Sequence, residues 1–142
     1  MPMKYFEQIQ SQEIPHMDTG DIPAFLVDTV ISEDKEKPIT SGLFRLEKGK
    51  SLTYTYTYHE MKLIIDGTLI IEDETGLKKT GNVGDLFYFT KGTTVTFTTP
   101  DFGVGFFTKY GDGGVDISPL ADCTKTQVWE MASEMSIIQD II

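Results

Sequence analysis

A regular succession of short β segments between residues 41 and 110 limits the folds open to this chain more than any other feature. Turns rich in Gly, Asp and Lys separate the segments at intervals of about 8 to 12 residues, a spacing typical of antiparallel sandwiches and barrels. The segments are, in order, GLFRLE, SLTYTYTY, MKLIIDGTLIIED, GDLFYFT, TTVTFTT and VGFFTKY. The sequence therefore predicts an all-β fold.

Length and composition favour one soluble globular domain over residues 1–142. The chain is long enough to bury a core, and 39% of its residues are hydrophobic while 24% are charged. The expected parts are N-terminal strands and loops at 1–40, the main barrel at 41–111 and a C-terminal tail at 112–142. In the tail, Val128, Ala132 and Met135 have the spacing of a short helix with one apolar face.

Charge and cysteine content argue against several classes of function. The 22 acidic and 12 basic residues give a formal net charge of −10, which repels nucleic-acid backbones and anionic membranes. No apolar run approaches the roughly 20 residues that span a bilayer, and the start MPMKYFEQIQ lacks a secretory pattern. The single cysteine, Cys123, allows no internal disulfide. We expect a cytoplasmic protein without nucleic-acid or membrane partners.

The stretch TYTYTYHE at residues 53–60 raises the question of function. Because a strand points successive side chains to opposite faces, Tyr54, Tyr56 and Tyr58 would share one face. Tyrosine and threonine also stabilise ordinary sheets, so the pattern allows either a structural aromatic ladder or a lined cavity.

This stretch resembles the first signature of the cupin family, in which Gly, His-x-His, Glu and Gly follow at fixed spacings. Gly49, Glu60 and Gly67 stand at the glycine and glutamate positions, and Tyr54 and Tyr56 stand where the family has histidines. The resemblance implies a single cupin double-stranded β-helix, which is a jelly-roll-like barrel with a pocket at one mouth.

The segment GDLFYFTKGTTV resembles the second cupin signature, with Thr90 at the proline position and Val95 at the histidine position. Within the cupins, YHEMKLIIDG and GDLFYFTKGT are similar to the ethanolamine-utilisation EutQ-type, RmlC-like branch, although His59 stands where that branch has Asp. Cupins commonly pair, so the resemblance implies a homodimer. The segment VGFFTKY, with few charges, is expected at a sheet edge open to pairing.

The resemblance also implies what has been lost. Cupins that bind iron, manganese, zinc or nickel use three imidazoles and one carboxylate, and only Glu60 remains of that set here. Tyrosine must lose a proton to ligate well and valine cannot ligate. We therefore predict no metal and no other cofactor, with a metal-binding cupin of atypical ligands as a remaining alternative.

Four side chains would meet inside the barrel if the strand alternation holds, namely those of Tyr54, Tyr56, Glu60 and Lys62. Burial would favour the neutral form of Glu60, whereas Lys62 would favour its charged form, and the sequence does not decide between them. Glu60 is the candidate general acid or base, with the phenols as hydrogen-bond donors to an oxyanion. The alternatives are a buried Glu60–Lys62 ion pair without catalytic duty and a cavity merely filled with rings.

Six further side chains are candidates for the same site. His59 would add a titrating group if it turned inward, although a solvent-facing orientation is preferred. Arg45, the only arginine, would grip a carboxylate or form a surface ion pair. An apolar wall for a flat or aromatic ligand with a polar group would be formed by Tyr58, Val95, Phe97 and, depending on register, Phe87 or Tyr88.

Two classes of function follow from these residues. The first is a metal-independent small-molecule enzyme with a carboxylate and tyrosine acid–base pocket, of the isomerase, dehydratase, cyclase or decarboxylase type. The second is a non-catalytic ligand-binding or assembly module, as the EutQ resemblance implies. Phosphotransfer, which has been associated with that branch, ranks third because the chain has no glycine-rich phosphate loop.

Overall fold

The structure is a computed structural model that describes residues 3–110. Within them, nine strands and one short 3₁₀ helix account for the regular structure. The elements are η1 (Ile9–Ser11), β1 (Ala24–Ile31), β2 (Ile39–Glu47), β3 (Leu52–Thr55), β4 (His59–Gly67), β5 (Leu69–Asp73), β6 (Lys78–Gly81), β7 (Leu86–Phe89), β8 (Thr94–Thr98) and β9 (Phe102–Tyr110). This part of the chain contains no helix that has the length and apolar character of a membrane span.

The strands form two antiparallel sheets that face each other across one core. The first has the order β1-β2-β9-β4-β7 and the second the order β3-β8-β5-β6. Alternate side chains of both sheets fill the space between them, as the period of two requires. The largest fully buried side chains are Phe97, Phe107, Leu43, Leu46, Ile64, Leu69 and Val95. The prediction of an all-β, double-sheet barrel is confirmed.

Gly67 turns the chain from the first sheet into the second, between β4 and β5. Its φ of 65° is left-handed, and an added Cβ would lie 2.2 Å from the carbonyl oxygen of Phe102. Only glycine tolerates both conditions without strain. This glycine of the first signature therefore fixes the end of β4, the strand that carries Glu60.

Strand positions differ from the expectation in two places. The segment VGFFTKY lies in β9, which is paired on both sides, with β2 and with β4, so the prediction of an edge strand is wrong. Strand β6 has the sequence KKTG, which contains no hydrophobic pattern that would predict a strand, and it pairs with β5. Among the described strands, the sheet edges are β1, β7, β3 and β6. The homodimer stays a prediction, and the predicted tail and helix at 112–142 lie outside the described residues.

Candidate functional site

The three tyrosines of the alternating stretch meet where the chain crosses from β3 to β4. β3 ends at Thr55, and Tyr56 is held beyond it by its N–H, which donates to Thr93 O at 2.8 Å, and by its carbonyl, which accepts from Gly92 N at 2.7 Å. The Tyr56 ring meets Tyr54 edge-on at 4.8 Å between centroids and Tyr58 at 5.5 Å. The expected clustering on one face is confirmed, although the strand itself is shorter than the alternation.

Tyr56, Glu60 and Lys62 form a hydrogen-bonded group inside the barrel, here termed the buried triad. The Tyr56 hydroxyl donates to Glu60 Oε2 at 2.7 Å, and Lys62 Nζ lies 3.2 Å from the same oxygen. The three residues are 2%, 4% and 3% exposed, respectively. The predicted inward placement of these side chains is confirmed, while Tyr54 lies half-buried beside them.

Tyr56 and Lys62 both contact Glu60 Oε2, so the two oxygens of this carboxylate have different surroundings. Within residues 3–110, Glu60 Oε1 accepts no hydrogen bond from another side chain. Burial, and then the neighbouring Glu60 charge, raise the pKa of Tyr56 far above its ordinary value. Tyr56 is therefore a neutral donor at physiological pH.

Aromatic rings surround the Lys62 ammonium on the sides that Glu60 leaves open. Nζ lies 4.1 Å from the Phe44 ring centroid, 4.5 Å from that of Phe97 and 5.9 Å from that of Phe89. Cation–π attraction in this desolvated setting offsets part of the cost of burying the charge. Burial nevertheless lowers the pKa of Lys62, and the Glu60 contact opposes that shift.

The aliphatic stem of Lys62 occupies the space next to Gly105 on the neighbouring strand β9, which is free because glycine has no side chain. A Cβ at Gly105 would lie 2.6 Å from Lys62 Cγ and 2.8 Å from Cδ. We expect Gly105→Ala to destabilise the fold by about 1–3 kcal/mol, since overpacking a filled core forces side chains off their rotamers. Urea unfolding measures this cost.

A Lys62→Ala background provides the control for that prediction. Without the Lys62 stem, the same Gly105→Ala change should become neutral or favourable, since Gly in a strand is roughly 0.5–1 kcal/mol worse than Ala. An equal cost in both backgrounds would show that Gly105 is needed for something other than Lys62.

Lys109 is the residue of the site that the sequence analysis missed. It is 7% exposed and lies on β9 directly opposite Glu60 in the strand register. Its Nζ lies 4.9 Å from the Tyr58 ring centroid and 3.4 Å from Asp28 Oδ1. The available signal was the alternation in VGFFTKY, which places Lys109 on the same face as buried Phe107.

Tyr54 and Tyr58 lie between the triad and the Lys109–Asp28 ion pair, since both rings contact Tyr56 and Lys109 lies over the Tyr58 ring. Their hydroxyls lie 2.8 Å apart and both residues are half-buried, so they form the part of the tyrosine cluster that is nearest to solvent. The site thus consists of a closed interior at Glu60, Lys62 and Lys109 and a more open part at Tyr54 and Tyr58.

Three predicted site residues lie elsewhere. Arg45 points to the outer face of β2, where its Nε donates to Glu47 Oε2 at 2.9 Å, which corrects its assignment to the pocket and agrees with the surface ion pair. Tyr88 is 57% exposed, because the register turns Phe87 and Phe89 inward. His59 is exposed and accepts a hydrogen bond from Lys91 N at 3.2 Å, so it faces outward as preferred.

The apolar residues predicted to form the wall of a ligand site lie in the core of the barrel, and their role as a ligand wall stays a prediction. Val95 and Phe97 of β8 are each 1% exposed and belong to the core cluster. Phe89 stacks on Tyr56 with ring centroids 4.8 Å apart and an interplanar angle of 7°. The surroundings of the triad are therefore aromatic and aliphatic, which strengthens every charge interaction within it.

The donor set at the inherited metal position does not suit a transition ion. The positions of the three family imidazoles hold Tyr54, Tyr56 and Val95, and residues 3–110 contain no cluster of three His, Cys, Asp or Glu side chains. The Lys62 ammonium also occupies the side of Glu60 Oε2 where a cation would bind. The residues of this site therefore do not fit the family's metal.

Comparison with known proteins assigns the family. The model of the ethanolamine utilisation protein EutQ family matches residues 3–111. The chain belongs to this family. The structure of the EutQ protein of Clostridium difficile superposes with a TM-score of 0.63 at 24% identity, over 72% of this chain and 83% of that one. The polyketide cyclase RemF of Streptomyces resistomycificus shares the fold, with a TM-score of 0.64 at 9% identity, over 76% of this chain and 80% of that one. Other neighbours are described as cupins.

A second similarity covers the C-terminal part of the EutQ-like chain. An NAD synthase family model matches residues 93–142, a range that includes β8 and β9 of the barrel. The NH₃-dependent NAD⁺ synthetase of Carboxydothermus hydrogenoformans is 51% identical over 39 residues, which are 28% of this chain and 16% of that protein. The chain thus spans less than half the length of the curated relatives that it matches.

Proposed function

We propose that this EutQ-type cupin is a metal-independent enzyme that moves a proton on a small carbonyl compound, with Glu60 as the general base or acid. The observation that carries the proposal is the buried triad, in which one carboxylate oxygen is fixed by Tyr56 and Lys62 while Oε1 is not hydrogen-bonded within residues 3–110. A carboxylate held in this way among aromatic rings is oriented and poorly solvated, as a general base requires.

Each member of the triad has a separate task in the proposed step. Glu60 Oε1 accepts a proton from a carbon next to the substrate carbonyl, and the electron pair moves onto the carbonyl oxygen as an enolate. Tyr56 donates its single hydroxyl proton to Glu60 Oε2 and so orients the carboxylate, and the Lys62 ammonium, which has further N–H donors, stabilises negative charge as it develops. Returning the proton to the same or a neighbouring atom completes an exchange or an isomerisation, so that no external oxidant or reductant is needed.

The second candidate is a non-catalytic binding or assembly module of the EutQ type. The closed state of the triad favours it, since Tyr56, Glu60 and Lys62 are no more than 4% exposed. Two concavities of the described residues also lie outside the barrel, one of them a cavity of about 370 Å³ beside Arg45 and Glu47. In this alternative the triad is a structural ion pair.

Hydrogen–deuterium exchange distinguishes the two functions without knowledge of the natural substrate. A panel of aromatic ketones and keto acids is incubated with the protein in D₂O, and loss of the acidic C–H signal is followed by NMR. We expect accelerated exchange for at least one compound, and Glu60→Gln should slow it by roughly 10²-fold or more.

The matched control is Glu72→Gln, which makes the same chemical change at an exposed carboxylate on β5. It should exchange the substrate at the wild-type rate. Exchange that survives Glu60→Gln, or no exchange with any compound while a ligand binds wild type and Glu60→Gln equally, would favour the binding module.

A further inference from the structure

Strand β7 is a sheet edge with an open backbone. It pairs with β4 on one side, and no strand of residues 3–110 pairs with its other side. Ile64 N donates to Asp85 O at 2.9 Å, which places Asp85 in a hydrogen-bonded pair with β4. Because such pairs alternate along an antiparallel ladder, the N–H and C=O groups of Leu86 and Tyr88 point away from β4. These groups are in position to bind a further strand.

The side chains beside this edge are apolar as well as exposed. Leu86 and Tyr88 are 65% and 57% exposed, and their cross-strand partners on β4, Leu63 and Met61, are 36% and 51% exposed. On the other sheet, the exposed side of β3 and β8 carries threonines whose hydroxyls pair across the strands. A solvated strand face is normally polar in that way, so the apolar face at β7 indicates a contact surface.

The other sheet edges of the described residues are less suited to association. β1 is partly covered, because Leu26 N donates to Pro15 O at 2.9 Å. β6 begins with Lys78 and Lys79, and the exposed side chains of β3 are threonines. Lysines on an edge strand oppose pairing with another chain. Among the four edges, β7 therefore combines an open backbone with apolar side chains.

Opposite charges at the two ends of β7 make the strand complementary to a second copy of itself. Asp85 precedes the strand and Lys91 follows it, both are exposed, and neither forms an ion pair within residues 3–110. In an antiparallel pair of β7 strands centred on Tyr88, the end with Asp85 lies beside the end with Lys91 of the other copy, and two-fold symmetry repeats the contact. At a net charge of −10 two copies repel each other, so they can share a surface on which the acids are matched.

We propose that β7 pairs antiparallel with β7 of a second copy of this chain, with the two Tyr88 residues opposite each other on the two-fold axis. The free backbone groups of Leu86 and Tyr88 bond across the axis, and the two five-stranded sheets join into one continuous sheet. Each Tyr88 ring gains the other as a cross-strand neighbour. This surface is separate from the buried triad and is independent of the proposed acid–base function.

Sedimentation velocity over a range of protein concentrations measures the association. We expect the wild-type chain to form dimers at micromolar concentration. Tyr88→Lys puts two like charges directly opposite each other and should raise the dissociation constant by at least roughly 10-fold. Tyr110→Lys makes the same change at an exposed tyrosine of β9, a strand that is paired on both sides, and should leave the dissociation constant unchanged.

Exchanging the two end charges tests the register. Lys91→Glu puts carboxylates side by side at both ends of the interface, and Asp85→Lys does the same with ammonium groups. Each single change should raise the dissociation constant by roughly 10-fold, and the double variant should return to the wild-type value. Asp85 Oδ2 also accepts a hydrogen bond from Asn82 N at 2.8 Å, and thermal unfolding measures the loss of that turn contact, which the single and double variants share.

Hydrogen exchange locates the contact on the edge. The amides of Leu86 and Tyr88 should be protected only at concentrations where the dimer forms. A monomeric wild type would overturn the proposal, as would a dimer that Tyr88→Lys weakens no more than Tyr110→Lys, or a double variant that binds no better than Lys91→Glu. Protection of these two amides in a monomer would also reject the second copy, since another part of the same chain would then cover β7.

Discussion

Replacing Lys62 by Met should destabilise the protein by about 3–5 kcal/mol, because the change leaves the Glu60 carboxylate buried without its counter-charge. The ammonium lies 3.2 Å from Glu60 Oε2, and both residues are less than 5% exposed, so water cannot replace it. Methionine matches the length of the Lys62 stem and keeps its packing over Gly105. Urea unfolding monitored by circular dichroism measures the loss.

The double variant Glu60→Gln, Lys62→Met provides the control. Glutamine keeps an acceptor for the Tyr56 hydroxyl and removes the charge. The stability of the double variant should therefore be within about 1.5 kcal/mol of that of wild type, because replacing both members of a buried ion pair by neutral residues often costs little. If Lys62→Met alone costs less than 1 kcal/mol, the pair is solvated and Glu60 loses the poorly hydrated setting that the proposed chemistry needs.

The period of two in a strand accounts for what could be predicted of this site. Glu60 and Lys62 share a face of β4, and both are buried as the alternation predicts. The same rule places His59 outward, and on β2 it places Arg45 opposite buried Phe44 and Leu46. The sequence alone could not reject Arg45 from the site, because Leu43, which lies on the same face of β2 as Arg45, is also apolar and buried.

Lys109 shows where the rule stops. Alternation in β9 gives the face of Lys109 but not its neighbours, which depend on β9 lying between β2 and β4. Sequentially distant Glu60 and Asp28 approach Lys109 only through that pairing and the fold of β1. The sequence therefore predicted the triad, whose members all lie within residues 56–62, where the chain crosses from β3 to β4. It missed the positive charge of Lys109, which lies on a strand distant in sequence.

The C-terminal part of the chain shows a limit of another kind. Residues 93–142 match an NAD synthase model while residues 3–111 match the EutQ model, so β8 and β9 fall within both. In the structure these two strands are integral to the sheets, since β9 pairs with two neighbours and β8 pairs with β3 and β5. The single domain over 1–142 stays a prediction.

Above pH 10, Tyr56 should make the folded state lose stability steeply. Burial and the Glu60 charge raise the pKa of Tyr56 above its ordinary value of 10.0, so the native protein keeps a proton that the unfolded chain releases. The native state then binds more protons, and stability falls as pH rises, by about 1.4 kcal/mol per pH unit for one group. Urea unfolding between about pH 10.5 and 11.5 measures the slope, with unfolded tyrosine ionising near pH 10.

Tyr56→Phe isolates this contribution, because every other tyrosine and lysine is common to both proteins. The Tyr56→Phe variant loses the hydrogen bond to Glu60, so its free energy of unfolding should be about 1.5–3 kcal/mol lower than that of wild type at neutral pH. Its stability should nevertheless fall less steeply than that of wild type as the pH rises above 10. Lys62, whose pKa burial lowers, acts in the opposite direction and only below its ordinary value of 10.5, where the unfolded lysine holds a proton that the native one has lost. Parallel alkaline curves for the two proteins would mean that Tyr56 ionises in the folded state, and that the triad is open to hydroxide and solvent.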